Sequence, residues 1–178
     1  MKVIKTKLKD CVIIEPKVLS DERGFFLETF QAERYAAQAG ITLPFLQDNH
    51  SRSSKCVLRG LHFQINKPQG KLVRVVKGKV YDVAVDIRKG SPTFGQWEAV
   101  ILSEGNKIQF WVPPGFAHGF VVLSETADFE YKCTDYYDAS DEGRILWNDP
   151  DINIPWPIDD PILSDKDANA EKLVDLKR

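Results

Sequence analysis

Long apolar runs are missing from this sequence. No stretch approaches the roughly 18 residues needed to span a bilayer, and the opening Met1-Lys2-Val3-Ile4-Lys5-Thr6-Lys7 lacks the apolar centre of a signal peptide. Cysteine is scarce. Cys11, Cys56 and Cys133 are odd in number and show no CxxC spacing, which argues against a disulfide framework or zinc ribbon and for a reducing, cytoplasmic setting. Neither charge is in excess: 24 Lys+Arg stand against 26 Asp+Glu, a net charge of -2. That speaks against a broad basic face for nucleic-acid polymers. A small anionic ligand remains possible, because it needs only a few placed cations. There is no GxxxxGK[ST] loop, no GxGxxG opening a helix, no GxSxG elbow and no HExxH. A nicotinamide or flavin fold therefore has no support.

What is present reads as one globular domain. The chain has 178 residues, 43% of them hydrophobic, enough to bury a core without staples. From Gly60 to Gly119, glycines recur at intervals of about ten residues between runs rich in Val, Ile, Phe and Tyr. Short strands at that spacing predict an all-β sandwich or barrel. Residues 71–76 and 80–87, joined by Lys77-Gly78-Lys79, form the best strand pair. In the second, Tyr81, Val83, Val85 and Ile87 share one face, and Asp82, Ala84 and Asp86 share the other. Such alternation marks a solvated face or a polar cavity, the former being commoner. Two helices are expected. Thr29 caps residues 30–39, which Gly40 ends, and Ser164 caps a C-terminal helix around residues 165–173. Between them, residues 148–161 hold four of the ten prolines and read as ordered coil wrapping the barrel, anchored by Trp147, Ile152, Ile154 and Trp156.

There are only three histidines, His50, His62 and His118. The last closes Pro113-Pro114-Gly115-Phe116-Ala117-His118, which fits the P-x-G-x-x-H signature of the cupin superfamily. Metal-binding cupins pair it with an H-x-H motif and a nearby Glu. Here His62-Phe63-Gln64 stands in that place, leaving too few ligands for a tight metal site. A closer resemblance follows from longer matches. Asp21-Glu22-Arg23-Gly24-Phe25-Phe26-Leu27-Glu28, Gln47-Asp48-Asn49-His50-Ser51, Arg59-Gly60-Leu61-His62-Phe63-Gln64 and Gly70-Lys71-Leu72-Val73 resemble the dTDP-4-dehydrorhamnose 3,5-epimerase family. So do Pro114-Gly115-Phe116-Ala117-His118-Gly119-Phe120, Tyr131-Lys132, Trp147-Asn148-Asp149-Pro150 and Leu163-Ser164-Asp165-Lys166-Asp167. The matches run in order along nearly the whole chain.

The resemblance implies a mainly β, cupin-type jelly roll with short flanking helices, a homodimer, and inversion at C3 and C5 of a dTDP-linked 4-keto-6-deoxyhexose without cofactor or metal. It implies His62 as base, Tyr131 as the acid on the opposite face, Lys71 at the enolate oxygen and Asp167 as carboxylate partner of the base. The residue types suit this chemistry. Removing a proton beside a ketone and returning it from the other side needs a base, an acid and a cation at the developing oxyanion. Each residue also has a plainer reading: His62 a satisfied strand histidine, Tyr131 a core aromatic rivalled by Tyr136 and Tyr137, Lys71 an exposed strand lysine. Ser164-x-x-Asp167 doubles as a capping box. For the diphosphate, Arg23, Arg59 and Lys166 are the matched donors, each Arg preceding a Gly that permits close approach. Phe26 is placed to stack on thymine, with Glu28 and Gln47 at its edge. Asn49, His118 and Glu142 match further substrate contacts, although Asp141-Glu142-Gly143-Arg144 carries one residue more than the family's acid–arginine pair. Three other readings stay open: an epimerase of C5 or C3 alone, a metal-dependent cupin oxygenase or isomerase, and a non-catalytic sugar-binding cupin.

Overall fold

The computed structural model describes residues 1–176. Its strands are β1 (Lys2–Lys5), β2 (Val12–Glu15), β3 (Val18–Asp21), β4 (Gly24–Leu27), β5 (Gln47–Ser54), β6 (Leu58–Gln64) and β7 (Lys71–Lys77). They continue as β8 (Lys79–Asp86), β9 (Trp97–Ser103), β10 (Gln109–Val112), β11 (Phe116–Val122), β12 (Thr126–Cys133) and β13 (Glu142–Arg144). A six-stranded sheet runs β1-β2-β10-β7-β12-β5 and a five-stranded sheet β13-β6-β11-β8-β9. The pairings within both are antiparallel. The hairpin β3–β4 is paired only with itself. No described helix is long and apolar enough to cross a membrane.

Period-two patterning decides what each face buries. Val73, Val75, Phe110 and Phe129 of the six-stranded sheet meet Val80, Ala84, Val100, Leu102 and Phe120 of the other in the main core. The opposite face of β8, with Val83 and Val85, is covered by Ile152, Ile154, Trp156 and Leu173. This is the wrapping coil expected from the prolines, and Trp156 Nε1 donates to the Trp147 carbonyl at 2.7 Å. Because coil covers one face and the second sheet the other, Asp82 and Asp86 are both fully buried. The alternation on β8 thus marks a polar interior, not the commoner solvated face.

Three local expectations are corrected. Residues 71–76 and 80–87 form strands but do not pair: β7 lies between β10 and β12, while β8 lies between β11 and β9. A single residue, Gly78, connects them, too short for a two-residue hairpin loop, so the chain turns a corner from one sheet into the other. Gly78 has φ +79°, and a Cβ there would stand 2.1 Å from the Thr126 carbonyl. Helix α1 (Ala32–Ala39) is capped by the Gln31 side chain, which accepts from Arg34 N, and not by Thr29. Thr29 instead offers its carbonyl to Tyr35 and Gln109; Gly40 ends the helix as expected. The C-terminal helix is split into α2 (Asp165–Ala168), capped by Ser164, and a 3₁₀ turn over Leu173–Asp175.

Candidate active site

The two sheets open on a small cavity of about 170 Å³. From the five-stranded side β6 presents His62 and Gln64, and β13 presents Glu142; from the six-stranded side come Gln47 and Asn49 on β5, Lys71 on β7 and Tyr131 on β12. Gln69 and Tyr137 complete much of the wall. Alternation explains this gathering: residues two apart on each strand share the inward face.

His62 is held firmly. Its Nε2 lies 2.6 Å from Asp167 Oδ1, and Asp167 is buried. Asp167 both takes part in the cap of α2 and meets the imidazole. Its backbone N–H donates to Ser164 Oγ at 3.2 Å, while its carboxylate meets the imidazole. Burial alone would push the Asp167 carboxyl up, but bonds to His62, Ser164 and the Gly60 backbone hold it below the usual carboxylate range. With Nε2 engaged, Nδ1 is the ring nitrogen left for a substrate, and Glu142 Oε1 stands 3.9 Å from it. Gly60 fixes where β6 runs. It has φ +125°, and a Cβ would come within 2.6 Å of Gly119 Cα. The room the glycine leaves is therefore filled by the backbone of β11.

Across the cavity, Tyr131 and Lys71 are partly buried. Burial pushes the Tyr131 phenol up and the Lys71 ammonium down, the latter partly offset by the nearby acids Glu142 and Asp82. Gln47 Nε2 donates to Asn49 Oδ1 at 3.0 Å, and Asn49 Nδ2 reaches Cys133 Sγ at 3.6 Å. Tyr137 donates to Glu142 Oε2 at 2.9 Å, and Arg144 pairs with the same carboxylate. The Glu142 side chain stands in the cavity wall.

Other predicted residues lie elsewhere. His118, in register with His62 on β11, turns its Nε2 onto the buried Asp82 at 2.9 and 3.0 Å. Arg59 is exposed, donates to Ser53 Oγ at 2.9 Å and lies close enough to Tyr131 to favour its ionised form. Lys166 is exposed on α2 beside Asp167. Arg23 and Phe26 sit on the β3–β4 hairpin, where Arg23 pairs with Asp21 and Phe26 is 70% exposed. Glu28 follows the hairpin and pairs with Arg34. None of these three lines the cavity around His62 of its own chain. Reading from the sequence missed Gln64, Gln69 and Arg144. Gln64 was legible by spacing, since it shares the inward face of β6 with His62; it clamps the next loop, accepting from Asp138 N at 2.8 Å. Among the described residues no cluster of three or more His, Cys, Asp and Glu is arranged to hold a metal ion.

The family model described as dTDP-4-dehydrorhamnose 3,5-epimerase matches residues 5–175. The chain belongs to the dTDP-4-dehydrorhamnose 3,5-epimerase family. It is 57% identical over 176 residues to the dTDP-4-dehydrorhamnose 3,5-epimerase of Shigella flexneri, covering 98% of this chain and 97% of that one. It is also similar to the crystal structure of the Legionella pneumophila epimerase in complex with dTDP-4-keto-L-rhamnose, with a TM-score of 0.96 and 58% identity over 99% of this chain and 94% of that one. A 3′-monoepimerase from Streptomyces bikiniensis in complex with dTDP-quinovose is more distant: TM-score 0.89 and 34% identity, covering 95% of this chain and 86% of that one. The jelly-roll expectation is thereby met, and the chain is an epimerase, an isomerase-class enzyme.

Proposed function

We propose that this chain inverts C3 and C5 of dTDP-4-dehydro-6-deoxy-D-glucose to give dTDP-4-dehydro-L-rhamnose, without redox cofactor or metal. One observation carries the reading: His62 and Tyr131 face one small cavity from opposite sheets. His62 Nδ1 takes the proton from the carbon beside the C4 ketone, and the electron pair moves onto the C4 oxygen. The Lys71 ammonium, which lines the same cavity, is the cation for that enolate in this reading. Tyr131 then gives its phenol proton to the other face of the same carbon as the carbonyl re-forms. The imidazolium and phenolate exchange protons with solvent, and the sequence repeats at the second carbon. Asp167 keeps the imidazole oriented and supports its charged form while the proton is held. Gln47, Asn49 and Glu142 belong to the substrate's surroundings in this reading, with Arg59 and Lys166 on the diphosphate, while His118 stands behind the wall on Asp82.

The same reading includes a homodimer. The β3–β4 hairpin exposes Leu19 at 52%, Phe25 at 59% and Phe26 at 70%, an apolar display that a second copy would cover. β5, which carries Gln47 and Asn49, is a sheet edge with a free side. A partner's hairpin laid along it would bring Arg23, Phe26 and Glu28 to the nucleotide end of the cavity. Three free thiols support a cytoplasmic setting.

The similarity to a monoepimerase makes inversion of one centre the second reading, and deuterium counting separates them. Incubation with the 4-keto-6-deoxyglucose nucleotide in heavy water, after exhaustive chelation, should place one deuteron at C3 and one at C5 of inverted product. Label at one centre only supports the monoepimerase reading. Activity lost on chelation and restored by one metal overturns the metal-free one.

A further inference from the structure

Arg144 is left over by this account, and its surroundings are unusual. Its Nη2 pairs with Glu142 Oε2. Its Nε is buried and lacks a hydrogen-bond partner among the described residues, an arrangement rare in folded proteins. The nearest acid is Asp167 Oδ1 at 3.6 Å, the same oxygen that His62 Nε2 holds at 2.6 Å. Strand register explains the approach, because Arg144 on β13 lies directly opposite His62 on β6. The imidazole therefore stands between two carboxylates, Asp167 at Nε2 and Glu142 at Nδ1, and one guanidinium faces both.

Two carboxylates flanking an imidazole favour its protonated form, which cannot accept a substrate proton. We propose that Arg144 is a positioning residue that balances charge around His62, holding Glu142 and offsetting Asp167 so that the imidazole stays a neutral base with Nδ1 open. The inference rests on His62 being the base. Other ionisable groups meet the same cavity: Lys71 from β7, Tyr131 from β12, and Tyr137, whose hydroxyl is tied to Glu142. His118 on β11 is turned away onto Asp82. Lys71 stands on the opposite sheet, and the two phenols are neutral near pH 7, so Arg144 is the cation in contact with both acids beside the ring.

The test has a readout that does not depend on turnover. With three histidines in the chain, the His62 ring resonance is assigned by its absence in His62→Asn and followed through a pH titration by NMR. Arg144→Met should raise the His62 midpoint by about one pH unit. Its kcat/KM should then fall about tenfold on the acid limb, with under about threefold change on the alkaline plateau. The double variant Glu142→Gln/Arg144→Met should bring the midpoint back toward wild type, which a merely structural role for Arg144 would not do. If Arg144→Met does not fold, Glu142→Gln alone should lower the midpoint. An unmoved midpoint, or an equal loss of activity at every pH, overturns the inference. A wild-type protein that does not epimerise would sink the functional reading instead, while the titration would still judge Arg144.

Discussion

His62 and Asp167 are 105 residues apart in the chain and 2.6 Å apart in space. Their partnership rests on which atom of Asp167 does what. Ser164-x-x-Asp167 was legible as a cap from spacing alone, and the cap is there. What spacing could not reveal is that the backbone N–H makes the cap while the carboxylate meets His62 from 105 residues away. The same limit applied to His118, whose signature motif was plain but whose ring is taken up by Asp82, a residue on a different strand. Lys71 gives the sharpest prediction at this scale. Burial pushes its ammonium below the ordinary lysine range. As pH rises through that lowered value the cation proposed for the enolate oxygen is lost. The alkaline limb of the kcat profile should therefore begin below the usual lysine range and should move out of reach in Lys71→Arg. Lys71→Met should lower kcat by about 10²–10³ with little change in KM. A variant whose loss falls on KM alone contradicts the role.

Among the elements, strands were easier to find than their partners. Residues 71–76 and 80–87 carry the right alternation, but alternation says which residues share a face and not which strand lies beside them. The corner at Gly78 was read as a hairpin because glycine between lysines fits either. Helix α1 shows a comparable gap. Its C-terminal Gly40 was legible, whereas Thr29 is a better capping type than Gln31, and tertiary contacts to the Thr29 carbonyl went with a cap on Gln31 instead. Tyr35 ties this helix to the sheet, donating to Gln109 Oε1 at 2.8 Å and to the Thr29 carbonyl at 3.0 Å. Burial pushes its phenol up to about 12. A raised acid favours its neutral form in the fold, so this contribution is complete below the ordinary tyrosine value of about 10 and is lost as pH rises through about 12. Tyr35→Phe leaves a buried amide oxygen short of a donor and should cost about 1–3 kcal/mol at pH 8. In urea unfolding, the gap between wild type and variant should narrow above pH 10. A gap that stays constant to pH 12 contradicts this account of the tie.

For the whole molecule, the arrangement of two facing sheets suits opposite-face chemistry, since one sheet presents His62, the proposed base, and the other Tyr131 and Lys71, the proposed acid and cation. A single chain leaves the matched residues Arg23, Phe26 and Glu28 outside that cavity, which is the strongest argument for a second copy. Phe26→Asp, placed on an exposed hairpin, should leave the fold intact. It should shift sedimentation toward the 20.2 kDa species and weaken nucleotide binding together. Loss of binding in a variant that sediments as wild type would separate Phe26 from any dimer. The central claim is the division of labour between the two sheets, and the measurement closest to it is deuterium wash-in from heavy water by His62→Ala and Tyr131→Phe. His62→Ala should exchange at neither C3 nor C5. Tyr131→Phe should retain exchange without inversion, its yield of inverted product falling by about 10²–10⁴. Exchange that persists in His62→Ala and vanishes in Tyr131→Phe would assign base and acid the other way round.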